Sequence, residues 1–154
     1  KALKKFSNYN LVFTAPNVDL EADIIRAEIE KFVANHSNAY FFNSLGSSIY
    51  LSLMRYSSCV IGNSSSGVIE APLLGVLSVN IGSRQSGRVM AKTVLSSSCN
   101  ASDILSTITY GLNKKEDYKL SKLLSKDSPS SKIIKILQKK DLNLKTNKIF
   151  NDIA

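Results

Sequence analysis

The sequence predicts an open α/β fold, a parallel sheet with helices on both faces. Short β-rich runs alternate along the chain with longer segments whose apolar residues recur at helical spacing. The runs are apolar without a polar alternation, as in Cys59-Val60-Ile61, which is the signature of strands buried on both faces of a parallel sheet. At 154 residues the chain is one ordinary domain in size.

The first strand is 11–14, closed by Ala15-Pro16-Asn17. A helix follows over 19–34, with Leu20, Ile24, Ile25, Ile29, Phe32 and Val33 on one face and Asp19 as its cap. Residues 39–42 read as the second strand. After Leu45-Gly46, a second helix over 47–56 is apolar at Ile49, Leu51, Leu53 and Met54 and is capped by Ser47 or Ser48. The third strand, 59–61, runs into Gly62-Asn63-Ser64-Ser65-Ser66-Gly67 and a helix over 66–74. Strands over 76–81 and 92–95 come next, then a helix over 101–112 opened by Asn100 or Ser102. This places the domain at 1–112. Residues 113–154 form a Lys-rich tail with helical patterns over 118–124 and 131–139 and a looser extension over 142–154. There is no internal repeat.

With 44% hydrophobic and 21% charged residues the composition is globular, and disorder is excluded. No apolar run approaches the roughly 20 residues of a membrane span, and no apolar leader follows the first lysines, so a soluble protein without membrane partners is expected. The first residue is Lys, which points to a longer or processed reading frame. Cys59 and Cys99 have neither a CxxC spacing nor a His beside them, which suits a reducing, cytoplasmic setting. The net charge of +8 is concentrated in the tail: residues 113–154 carry eleven Lys against five acids, and residues 1–112 nine Lys or Arg against seven acids. Lysines spread through helical patterns without interleaved aromatics read as a solvated face, so no nucleic-acid partner is expected. One His, His36, expected at the surface, and two distant cysteines assemble no metal site.

Ligands of an open α/β sheet sit outside the carboxyl ends of its strands. Four loops occupy such positions, and the Ser-rich one carries the most chemistry. It leads from a strand to a helix start, where free amides and the dipole favour an anion, Ser hydroxyls add donors, and Gly67 lets a phosphate approach the backbone. A ligand-free Ser/Gly turn remains open on local grounds. Val68-Ile69 follows Gly67, so the Lys of a P-loop is missing, and Ser66 stands where a GxSxG nucleophile elbow needs Gly. Glu70 on the new helix is suited either to a cap or to hydrogen bonds with ribose hydroxyls. Gly82-Ser83-Arg84-Gln85-Ser86-Gly87-Arg88 supplies two guanidiniums, whose forks fit phosphate oxygens. Tyr50 reads as core with its hydroxyl at the edge, or as a wall for a nucleobase.

Asn63-Ser64-Ser65-Ser66-Gly67-Val68-Ile69-Glu70-Ala71-Pro72, then Gly75-Val76, Val79-Asn80-Ile81-Gly82-Ser83-Arg84-Gln85-Ser86-Gly87-Arg88 and Pro16-Asn17-Val18-Asp19 resemble the C-terminal half of the UDP-N-acetylglucosamine 2-epimerases, over roughly residues 11–112. The match is closest to the hydrolysing branch; the non-hydrolysing branch typically has an Asp-Ser-Gly-Gly loop and a Glu-Arg-Pro-Glu run at these two places. The resemblance implies two Rossmann-like domains, as in GT-B glycosyltransferases, with UDP held mainly by the C-terminal one. It implies that Ser64, Ser65 and the Gly67 backbone, after Asn63, bind the diphosphate, and that Glu70 takes the ribose. Arg84 would sit beside the phosphates, Asn17 would line the cleft, and Leu45 to Tyr50 would lie near uracil; Arg88 matches a family position of unassigned contact. Further implications are UDP or a UDP-amino sugar as ligand, no cofactor, no catalytic residue in this chain, a missing N-terminal domain as partner, on which the tail would pack if not on its own domain, and a homo-oligomer at full length. A stand-alone nucleotide- or phosphosugar-binding module and a GT-B glycosyltransferase half are the alternative readings.

Overall fold

The computed structural model describes residues 1–17, 21–114 and 128–139. The chain divides into a unit Lys1–Ser121 and a unit Lys122–Ala154. In the first unit a 3-10 turn at Ala2–Lys5 precedes β1 (Leu11–Thr14), α1 (Ala22–Ala34), β2 (Ala39–Phe42), α2 (Gly46–Tyr56) and β3 (Val60–Gly62). A 3-10 turn at Ser65–Gly67, α3 (Glu70–Leu73), β4 (Ser78–Ile81), β5 (Val94–Ser97) and α4 (Ala101–Asn113) complete it. Of the second unit, α5 (Pro129–Lys139) is described. The helix expected over 118–124, the extension over 142–154 and the Asp19 cap lie outside the described residues.

All strand pairs are parallel, as the apolar runs predicted, and they fall into two groups. β1 pairs with β2, and β3, β4 and β5 pair in that order. A cavity of about 490 Å³ lies between β1 and β3. β3 was expected to be buried on both faces, yet all three of its residues are half-buried, because one edge of the strand faces this cavity instead of a neighbour.

The core is centred on β4. Val79 is fully buried, Ser78 and Ile108 nearly so, and Met54, Ala71 and Val76 cluster with Tyr50, Val60 and Leu74. Alternation along a strand sends neighbours to opposite faces. Ser78 accordingly meets the turn that holds Gly67, and Leu77 meets α4 at Gly111, so both faces of β4 are covered. The expected apolar stripe of α1 is covered only in part: Phe32 packs edge-on to Phe13 at 5.6 Å, whereas Ile24 is 63% exposed. His36, expected at the surface, is half-buried and stacked on Phe32 at 3.9 Å.

Local bonds account for where several elements start. α2 begins at Gly46, with the Ser44 hydroxyl accepting from the Gly46 amide at 3.3 Å, so Ser47 and Ser48 are inside the helix. α4 starts at Ala101 with Asn100 as its N-cap residue, one of the two expected openings, but without a side-chain cap bond; Ser98 accepts from the Asn100 amide at 3.1 Å and donates to Asp103 at 2.6 Å. β5 starts two residues later than expected because Lys92 and Thr93 lie in a turn that the Val94 amide closes by donating to the Ala91 carbonyl at 3.0 Å.

Candidate nucleotide-binding site

The helix expected over 66–74 is absent as a single element, and Pro72 is the cause. A helix begun at Ser66 would require the amide of residue 72 to reach the Val68 carbonyl, and proline has none to offer. The chain instead makes the turn Ser65–Gly67, then a single helical turn that accepts Pro72 in its opening residues. Gly75, at φ 71°, closes this turn as a Schellman motif, with Val76 N–H donating to Ala71 O at 2.9 Å and Gly75 N–H to Pro72 O at 3.1 Å. A helix of one turn supplies little dipole, so the expected anion site at a helix start loses that contribution.

The turn itself is ordered by short-range bonds. Ser64 is extended and its hydroxyl accepts from the Ser66 amide at 3.4 Å. Gly67 N–H donates to Ser64 O at 3.2 Å, and the Val68 and Ile69 amides both donate to Ser65 O. The Gly67 amide expected for a phosphate is therefore already engaged. The reason for a glycine there is also different: a Cβ would lie 2.8 Å from the Ser78 hydroxyl oxygen, so close packing on β4 excludes it.

Parallel pairing sets Gly62 level with Asn80, so the loops after β3 and β4 emerge side by side. Gln85, buried at 4% exposure, joins them by donating from Nε2 to the Asn63 carbonyl at 2.8 Å. The loop of Asn63, Ser64 and Ser65 is thereby tied to the loop that carries Arg84. Arg84 and Arg88 are exposed, and among the described residues no carboxylate lies within 4.0 Å of either. Buried side-chain atoms without a partner include Glu70 Oε2 on α3, Asn80 Oδ1 on β4 and Gln85 Oε1 in the loop after β4. The arrangement offers hydroxyl donors, two free guanidiniums and an unsatisfied carboxylate oxygen, the complement of a ligand that carries phosphates and hydroxyls.

The remaining expected residues come from other elements. Tyr50 is half-buried and lines the cavity together with Ser64 and Gly67. Asn17 is exposed after β1, Leu45 is half-buried at the start of α2, and neither lines that cavity. Cys59 is half-buried with its thiol pushed up to about 12 by burial, which keeps it neutral and unreactive. Gln85 and Asn80 were not singled out from the sequence as functional residues. A Gln in a polar loop carries no local signal of burial, and only the loop's return onto Asn63 supplies one.

The sequence matches the UDP-N-acetylglucosamine 2-epimerase family over residues 1–138. This chain belongs to that family. Among similar proteins, the GDP/UDP-N,N'-diacetylbacillosamine 2-epimerase (hydrolyzing) of Campylobacter jejuni is 38% identical over 104 residues, covering 67% of this chain and 27% of that protein. A polysialic acid biosynthesis protein of Escherichia coli is 34% identical over 128 residues, 82% of this chain and 32% of its own length. The UDP-N-acetylglucosamine 2-epimerase of Neisseria meningitidis serogroup B is 34% identical over 108 residues, 70% and 28% respectively. The chain thus spans about a third or less of the curated relatives it matches. Among the described residues of this family member, no helix is long and apolar enough to cross a membrane.

Proposed function

We propose that this chain is the UDP-binding part of a hydrolysing UDP-N-acetylglucosamine 2-epimerase, working with an N-terminal domain of the same protein. The observation that carries the reading is the Gln85–Asn63 bond, which joins the Ser-rich loop to the loop bearing Arg84 at the carboxyl ends of β3 and β4. Family membership and three relatives named for epimerase or polysialic acid functions support the substrate class. Residues 1–112 form the nucleotide-binding domain, and residues 113–154 follow it as a Lys-rich tail. The full protein is cytoplasmic and homo-oligomeric, and serves the making of sialic acid or a related sugar.

In the proposed reaction a base removes the C2 proton of UDP-N-acetylglucosamine as the C1–O bond breaks, and UDP departs by elimination. Water then adds to the glycal, giving N-acetylmannosamine with C2 inverted. The base belongs to the other domain. The part of this chain is electrostatic: Ser64, Ser65 and Arg84 stabilise the diphosphate as its leaving oxygen gains charge. Glu70 accepts from the ribose hydroxyls through Oε2, the oxygen that has no partner without ligand. Asn17 lines the cleft, Leu45 and Tyr50 lie near the uracil, and Arg88 is a further member of the site.

Calorimetric titration of the complete gene product with UDP tests the assignment. A lost hydrogen bond to a charged group is worth about 1.5–3 kcal/mol, so Arg84→Ala is expected to weaken UDP binding by roughly 10-fold to 150-fold. Ser65→Ala is expected to lose several-fold. Unchanged affinity in both variants overturns the site, and epimerase turnover by the 154-residue chain alone overturns the division of labour.

A further inference from the structure

Of the residues from Ser83 to Val89, Gln85 alone is buried. The loop is braced around it. Asn80 donates from Nδ2 to the Gly82 carbonyl at 3.4 Å, and the Gly82 amide donates to the Ser97 carbonyl at 2.9 Å, which fixes the root of the loop on β4 and β5. The Ser86 amide then donates to Ser83 O at 2.9 Å and the Arg88 amide to Gln85 O at 3.3 Å, so two turns follow one another with Gln85 shared between them.

Packing alone does not account for a glutamine here. Its Nε2 is satisfied by the Asn63 carbonyl at 2.8 Å, but its Oε1 is buried with no donor, a cost that an apolar side chain of the same size would avoid. What the amide adds is control over one acceptor in the Ser-rich loop. The Asn63–Ser64 peptide is trans, so its carbonyl and its N–H point in opposite directions. With the carbonyl held by Gln85, the Ser64 N–H faces away from Gln85. The amides of Ser66, Gly67, Val68 and Ile69 are engaged within the turn, whereas those of Ser64 and Ser65 have no acceptor among the described residues. Direction matters next to an anion: a carbonyl oxygen turned toward a diphosphate repels it, and an N–H makes the stronger, charge-assisted kind of hydrogen bond.

We propose that Gln85 is a positioning residue for the diphosphate, holding the Asn63 carbonyl back so that the Ser64 N–H is presented to the phosphates. It acts through Asn63 rather than by touching the nucleotide. The inference rests on the nucleotide-binding reading of the site and deepens it, because it confines the effect of one buried side chain to the phosphate end of the ligand.

Calorimetric titration of the complete gene product with UDP and with uridine tests the role. Gln85→Glu places a carboxylate, which only accepts, against the Asn63 carbonyl. Ser64 has φ −72°, within the range of proline, so Ser64→Pro removes the N–H at an unchanged φ, and Ser64→Ala is its control for the lost hydroxyl. UDP affinity is expected to fall roughly 10-fold or more in Gln85→Glu relative to wild type and in Ser64→Pro relative to Ser64→Ala, with uridine affinity held within about 2-fold. In the Ser64→Pro background Gln85→Glu is expected to add little, because the donor that it aims is already gone. Equal losses for UDP and uridine mark Gln85 as structural and overturn the proposal. Full additivity in the double variant overturns it too, as does Ser64→Pro binding UDP as well as Ser64→Ala does. If Arg84→Ala and Ser65→Ala bind UDP like wild type, the site falls and the proposal with it; if they weaken UDP while Gln85→Glu does not, the positioning role alone falls.

Discussion

Gly67→Ala separates a packing role for this glycine from a ligand role. The residue is buried in the turn after β3, its φ is not positive, and so alanine brings no backbone strain there. The added methyl would lie 2.8 Å from the Ser78 hydroxyl oxygen, well inside the roughly 3.5–4.0 Å at which uncharged heavy atoms rest. Ser78 is 1% exposed on the central strand, so its hydroxyl has little room to turn away. Overpacking of this kind costs about 1–3 kcal/mol, and the reduced freedom of the unfolded chain offsets about 0.4–1 kcal/mol. The net loss is at most about 2.6 kcal/mol and centres on about 1 kcal/mol, a fall of roughly 2–4 °C in Tm for a chain of this length. Urea unfolding of wild type, Gly67→Ala, Ser78→Ala and the double variant measures it. Removing the Ser78 oxygen is expected to recover at least about 0.5 kcal/mol of the loss as a coupling energy. Unchanged stability in Gly67→Ala together with a tenfold weaker UDP affinity would refute the packing account and restore the glycine to the ligand.

Gln85→Met keeps the side-chain volume but removes the bond to Asn63; stability is expected to fall by about 0.5–1.5 kcal/mol and UDP affinity with it, and wild-type affinity would show that the bond does not position the loops. Gly111→Ala should lower stability in urea despite the helix propensity of alanine, because its Cβ would sit 2.8 Å and 3.0 Å from the Leu77 methyls and 3.0 Å from a Leu95 methyl; a stabilised variant would contradict the close packing of α4 on β4 and β5. Iodoacetamide at pH 8 is expected to label exposed Cys99 well before Cys59, whose thiol is pushed up to about 12, and equal labelling would count against that burial. Because the folded thiol holds its proton more tightly than the unfolded one at 9.0, stability from this group is intact below pH 9 and declines as pH rises from 9 toward 12.

Several features were legible from local sequence. β1 and β2 match the runs 11–14 and 39–42, and parallel pairing followed from their apolar character. The α4 region was legible from its apolar period. The Ser-rich loop and the Arg84 loop were recognisable as loops at strand ends because polar, Gly-bounded turns after apolar runs are local patterns. Pro72 was legible in principle, since a missing amide is written in the sequence, but its effect was outweighed by the apolar period of residues 68–74.

The sequence by itself determined the alternation of strands and helices, the absence of a P-loop lysine, and the family, because each depends on residue types at fixed spacing. Tertiary structure decided the rest. The burial of Gln85, the packing of Gly67 on Ser78 and the half-exposure of β3 depend on which segments become neighbours, and sheet order is set by contacts between residues far apart in sequence. For the same reason the cavity between β1 and β3 is invisible in the sequence, because its lining comes from segments far apart along the chain.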